Sequence, residues 1–131
     1  MTIKLGSLKA DLKRESDGDW VKVPDLPGVE LKVRSTNYAP YQVALQAMIR
    51  RFRKRYGTDP VPPEEDGAET GKLYATHLLV DWRGFDVPYD AGTAMSALSD
   101  PAYRELRSHV GWAASQVGRI EAEFVEEAVG N

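Results

Sequence analysis

The sequence contains no cysteine, which excludes disulfides, thiolate nucleophiles and cysteine-based metal sites together. Histidine is scarce as well, with only His77 and His109. His77 has Asp81 four residues on, but two ligands do not make a metal site and no third donor follows at helical spacing. A structural His–Asp hydrogen bond is the simpler reading of that pair. His109 has Glu105 and Ala113 at i−4 and i+4, which offer nothing catalytic. Glycine-rich phosphate loops, G-x-S-x-G elbows, H-E-x-x-H pairs and internal repeats are all missing. A non-enzymatic protein is therefore expected, with no cofactor, no metal and no catalytic residue. No apolar run approaches the roughly 18 residues of a membrane span, and the start M-T-I-K-L-G-S has no signal-peptide core. The expected location is the cytoplasm.

What is present is a globular composition. The 131 residues are 42% hydrophobic and 28% charged, enough for one domain with a modest core. The net charge of −3 conceals a polarity along the chain. Residues 1–57 hold 12 Lys/Arg against 6 Asp/Glu, whereas residues 58–131 hold 5 against 14. Such a division favours intramolecular or head-to-tail pairing over a large nucleic-acid footprint.

Along the chain the pattern predicts a mainly α fold with a small N-terminal antiparallel β-hairpin, an α+β class with about four helices. Residues 1–35 form a hairpin arm. Its first part, residues 3–15, gives a mixed signal: Ile3 and Leu5 alternate like a strand, while Leu8 and Leu12 are spaced like a helical turn. W-V-K-V at 20–23 and V-E-L-K-V-R at 29–34 alternate with period 2 around Pro27-Gly28, a type II turn pair. Ser35, Thr36 and Asn37 offer N-caps for a helix over 37–57 that stops at Gly57. Its apolar side, Leu45, Met48, Ile49, Phe52 and Tyr56, opposes Arg50, Arg51, Arg53, Lys54 and Arg55. That cationic face could neutralise phosphates, yet cations also suit a helix C-terminus, and pairing with the acidic half is the stronger reading. Residues 58–68 make an acidic, Pro-rich loop. A helix from about Glu65 to Trp82 follows, then the aromatic loop W-R-G-F-D-V-P-Y-D, which folds back on the core. Asp90 caps a short helix ending near Ser99.

The final predicted element is a long helix over 100–129, capped by Asp100 with Pro101 at its first position. Tyr103, Leu106, Val110, Ala113, Val117, Ile120 and Phe124 recur at alternating spacings of 3 and 4, a narrow heptad seam. Gly111 and Gly118 lie seven apart on one face, where a close helix crossing, a kink or mobility would explain them. The seam has two readings: an ordinary helix closing its own core, or a docking surface built from Val110, Val117, Ile120, Phe124, Gly111 and Gly118. The acidic end, Glu121, Glu123, Glu126 and Glu127, opposes the helix dipole and should fray.

The order of these pieces resembles the small tail assembly chaperones of long-tailed phages, prophages and gene-transfer-agent elements. The likeness runs from about Trp20 to Phe124. It lies in D-G-D-W-V-K-V, the basic I-R-R-F-R-K-R-Y, A-T-H-L-L-V-D-W-R-G-F-D, the P-Y-D that opens a short helix, and L-S-D-P-A-Y-R-E-L-R before the long helix. V-P-Y-D at 87–90 is shorter than that pattern. The resemblance implies a protein that binds the tape measure protein in the host cytoplasm during tail assembly and is absent from the mature particle. It also implies a longer, frameshifted form that recruits the tail tube protein. Val129-Gly130-Asn131 can be encoded GTG-GGA-AAC, which contains the slippery form G-GGA-AAC. Homo-oligomerisation is a further option. The competing readings are a nucleic-acid-binding or regulatory protein using the basic helix, and a structural tail-completion subunit.

Overall fold

The computed structural model describes residues 1–126 and has an α+β fold, in which helices pack with a three-stranded antiparallel sheet ordered β1-β2-β3. The elements are α1 (Leu12–Asp17), β1 (Asp19–Lys22), β2 (Glu30–Val33), α2 (Ala39–Tyr56), α3 (Pro63–Leu73), β3 (Leu79–Arg83), α4 (Ala91–Ser99) and α5 (Arg104–Val117). A 3₁₀ turn at Leu5–Leu8, a π turn at Tyr74–Leu78 and a 3₁₀ turn at Pro101–Tyr103 complete them.

The predicted hairpin forms in register, Asp19 opposite Val33 and Lys22 opposite Glu30. Its turn is closed by Val29 N–H donating to the Leu26 carbonyl at 3.0 Å. Gly28 takes φ +86° in that turn, the left-handed value a type II turn demands after Pro27. The mixed signal of residues 3–15 resolves into both of its components, since Ile3 bridges to Phe124 while Leu12 opens α1. Asp11 caps that helix by accepting from the Arg14 N–H at 3.1 Å.

Helix α2 ends at Gly57 as expected, with φ +62° and its N–H bonded to the Arg53 carbonyl at 2.8 Å. Its start differs from the expectation. Ser35 is fully buried and spends its hydroxyl on the Asn37 N–H at 3.0 Å, so the helix begins at Ala39 with Pro40 in its first turn. The acidic stretch predicted as a loop over 58–68 is helical from Pro63 onward. Proline at the start and Glu64, Glu65 and Asp66 in the first turn favour a helix N-terminus.

The helix predicted from Glu65 to Trp82 is corrected more deeply. It ends at Leu73, passes through the π turn, and becomes strand β3 at Leu79. Pairing with β2, Leu31 opposite Trp82 and Lys32 opposite Asp81, overrides the helical spacing of Leu78, Leu79 and Trp82. The change also separates His77 from Asp81. The Asp81 carboxylate accepts from the Trp82 N–H at 2.8 Å, and the His77 carbonyl from Arg34 Nη1 at 3.2 Å.

The core lies between the sheet and the helices, with Leu31, Val33, Leu78, Leu98, Val110, Ala113 and Ala114 all at 0% exposure. Helices α3 and α4 meet over Gly71, where a Cβ would stand 1.6 Å from the Leu98 carbonyl oxygen. Only glycine allows that contact. No helix among the described residues is long and apolar enough to cross a membrane.

Candidate functional site

The aromatic loop folds back as its sequence suggests, and its geometry makes a cleft. The Trp82 indole sits at 6% exposure and donates to the Val87 carbonyl at 2.9 Å. Phe85 and Tyr89 meet the same indole edge-on, with centroids at 5.4 and 5.3 Å and interplanar angles of 88° and 87°. These are favourable quadrupole arrangements. The loop can leave β3 this sharply because Gly84 takes φ +96° against the hairpin turn, where a Cβ would lie 2.1 Å from the Gly28 carbonyl oxygen. Burial raises the Tyr89 phenol above its ordinary range, and the nearby Asp81 and Asp90 carboxylates add to the shift.

Between this loop, α4 and the beginning of α5 lies a cleft of ≈ 290 Å³. Its walls are apolar: Leu26, Phe85, Val87, Ala97, Tyr103 and Leu106. Val87 and Tyr103 are 45% and 49% exposed, so the apolar lining reaches the surface. Asp86, Glu105 and His109 are the ionisable residues of the lining. A cleft of this shape accepts an apolar side chain, and its acids favour a cation beside that side chain.

None of the six residues singled out in the sequence as a docking surface lines this cleft. Val110 and Val117, at 0% and 2% exposure, pack into the core, together with Ala113 and Ala114. The heptad seam therefore closes the chain's own fold. Gly111 and Gly118 do mark close approaches, but to this chain. Cβ atoms there would stand 2.9 Å from the Tyr74 hydroxyl and 2.5 Å from Ser35 Oγ. The long helix predicted over 100–129 runs only from Arg104 to Val117. Gly118 ends it, and the glutamates beyond would oppose its dipole. Ile120 and Phe124, 43% and 49% exposed, lie past the helix end. Glu127 and the tripeptide Val129-Gly130-Asn131 fall outside the described residues.

The basic face divides in two. Arg55 pairs with Glu65 at 2.9 Å and Arg51 with Glu69 at 3.8 Å, both on α3. Tyr56 donates to Glu65 as well, and that bond raises its phenol above the ordinary range. Among the described residues Arg50, Arg53 and Lys54 are exposed and have no acidic partner. The expected pairing of the basic and acidic halves is thus present between α2 and α3. No group of three potential metal ligands occurs among the described residues.

Residues 36–131 match the family model of the YdaY prophage protein, from just before α2 to the end of the chain. The chain belongs to that family. The YdaY match covers the loop, α4 and α5, and so most of the cleft, but leaves out the β1–β2 hairpin that contributes Leu26. No curated protein and no solved structure matches the chain.

Proposed function

We propose that this prophage protein is a non-enzymatic tail assembly chaperone that binds the tape measure protein in the host cytoplasm and is absent from the finished particle. The observation that carries the reading is the apolar cleft between the aromatic loop and α5, with Asp86 and Glu105 beside it. A long helical client exposes apolar residues before the tube encloses it. The cleft offers one such residue a dry site, and the acids select a segment with a neighbouring Lys or Arg. The family match to a prophage protein supports the setting, and the resemblance of residues 20–124 to tail assembly chaperones supports the client. Val110 and Val117 are core residues, so we propose the cleft and not the heptad seam as the client surface.

Co-expression with the tape measure protein tests the proposal. The wild type should keep that protein soluble and co-purify with it. Tyr103→Asp, at a half-exposed position, should keep the fold and lose the client. Failure of the wild type to co-purify would reject the reading. A second reading rests on the three unpaired cations of α2. Steeply salt-dependent DNA binding, lost on neutralising Arg50, Arg53 and Lys54, would establish that reading instead. Mass spectrometry of particles separates a chaperone, which should be missing, from a tail-completion subunit, which should be present.

A further inference from the structure

Residues 2–4 and 123–125 form a short antiparallel ribbon. Lys4 N–H donates to the Glu123 carbonyl and Val125 N–H to the Thr2 carbonyl, both at 2.8 Å. Ile3 stands opposite Phe124. In this pattern the N–H and C=O of Ile3 and of Phe124 point outward on opposite edges, and neither residue's main chain is bonded among the described residues. Unpaired edges of this kind are templates for strand addition. The bridge pair itself is apolar and open to solvent, with Phe124 49% and Ile3 44% exposed, and Leu5 next along the same strand is 85% exposed, more apolar exposure than a short surface strand needs.

We propose that a second copy of this chain adds to the ribbon through the Ile3 edge, giving a two-fold dimer with a four-stranded sheet. Charge selects both the edge and the occupant. The Phe124 edge is flanked by Glu121, Glu123 and Glu126, so a copy there, with Glu123 opposite Val125 and Glu126 opposite Ala122, would still crowd three carboxylates from each chain along one short strand pair. The strand 2–4 carries a single charge, Lys4, already paired with Glu123 at 2.8 Å. An antiparallel copy centred on Ile3 places Lys4 opposite Thr2 of the second copy. The two Ile3 residues then exchange N–H···O=C bonds across the axis. Bridge partners share a face, so the sheet carries a continuous apolar strip of Phe124, Ile3, Ile3 and Phe124. The contact is self-complementary and closes at two copies.

Sedimentation of the full chain over a concentration series provides the test. The wild type should reach the mass of two chains. Ile3→Pro removes the outward donor but leaves both ribbon bonds, which use the Lys4 and Val125 N–H groups. It should sediment as a monomer with an unchanged circular dichroism spectrum and melting temperature. Ile3→Lys, which sets two ammonium groups across the axis, should also be monomeric at low salt. Phe124→Pro should remain dimeric. A wild type that stays monomeric at every concentration, or a dimer that survives both Ile3 variants, overturns the proposal. So does a dimer lost in Phe124→Pro but kept in Ile3→Pro. Client binding is read separately, since the ribbon residues do not line the cleft.

Discussion

Val117 shows how one side chain decides between the two meanings of a heptad seam. At 2% exposure it sits in the core cluster that α5 forms with the sheet, so Val117→Asp should unfold the protein by upwards of about 3 kcal/mol, as an unpaired buried charge does. Chemical denaturation with circular dichroism measures it, and a folded variant with lost client binding would restore the docking reading of the seam. Tyr41 supplies a second test at this scale. Burial, reinforced by the neighbouring Tyr74, pushes its phenol up to about 12. The unfolded phenol loses its proton near its ordinary value of 10, so this group's stabilising contribution is complete below pH 10 and is lost as pH rises through about 12. Absorbance titration should show late-titrating phenols, with the Tyr41 contribution disappearing in Tyr41→Phe while the raised Tyr56, Tyr74 and Tyr89 remain. Asp19 acts at the other extreme. The Arg14 guanidinium, bonded to it at 2.7 Å, holds its carboxyl below the usual 3.8, and that contribution fades as pH falls through the folded value.

Among the elements, the α3–α4 contact is the most demanding. Gly71→Ala should destabilise by at least about 2 kcal/mol, because its methyl overlaps backbone and not a movable side chain. Between α2 and α3 the ion pairs join exposed arginines to half-buried glutamates, so Arg55→Gln should lower stability by no more than about 1 kcal/mol, an effect that shrinks with salt. Removing Arg50, Arg53 and Lys54 should leave stability unchanged. The hairpin, the end of α2 at Gly57 and the capping of α4 by Asp90 were legible in the sequence because each rests on local chemistry. The conversion of 79–83 into a strand was not, since its cause is pairing with residues about fifty positions earlier. The run L-L-V-D-W-R could have signalled a buried strand, but its length and spacing suit a helix equally. The cleft was half legible. The aromatic loop announced that it would fold back, whereas the gap left between it and α5 depends on where three separate segments come to rest.

On the scale of the whole molecule, the opposed charges of the two halves meet across α2 and α3. One cationic stripe and one acid-flanked cleft are left facing solvent. These two surfaces correspond to the two readings of function, nucleic acid for the stripe and a helical protein client for the cleft. They lie on different elements, so the place where a partner binds distinguishes them. Hydrogen–deuterium exchange of the chain, with and without the tape measure protein, makes that comparison directly. Our account predicts slowed exchange in residues 85–87 and 103–109, with the 46–54 segment unchanged. Protection confined to 46–54, or no protection anywhere on adding the tape measure protein, would contradict it.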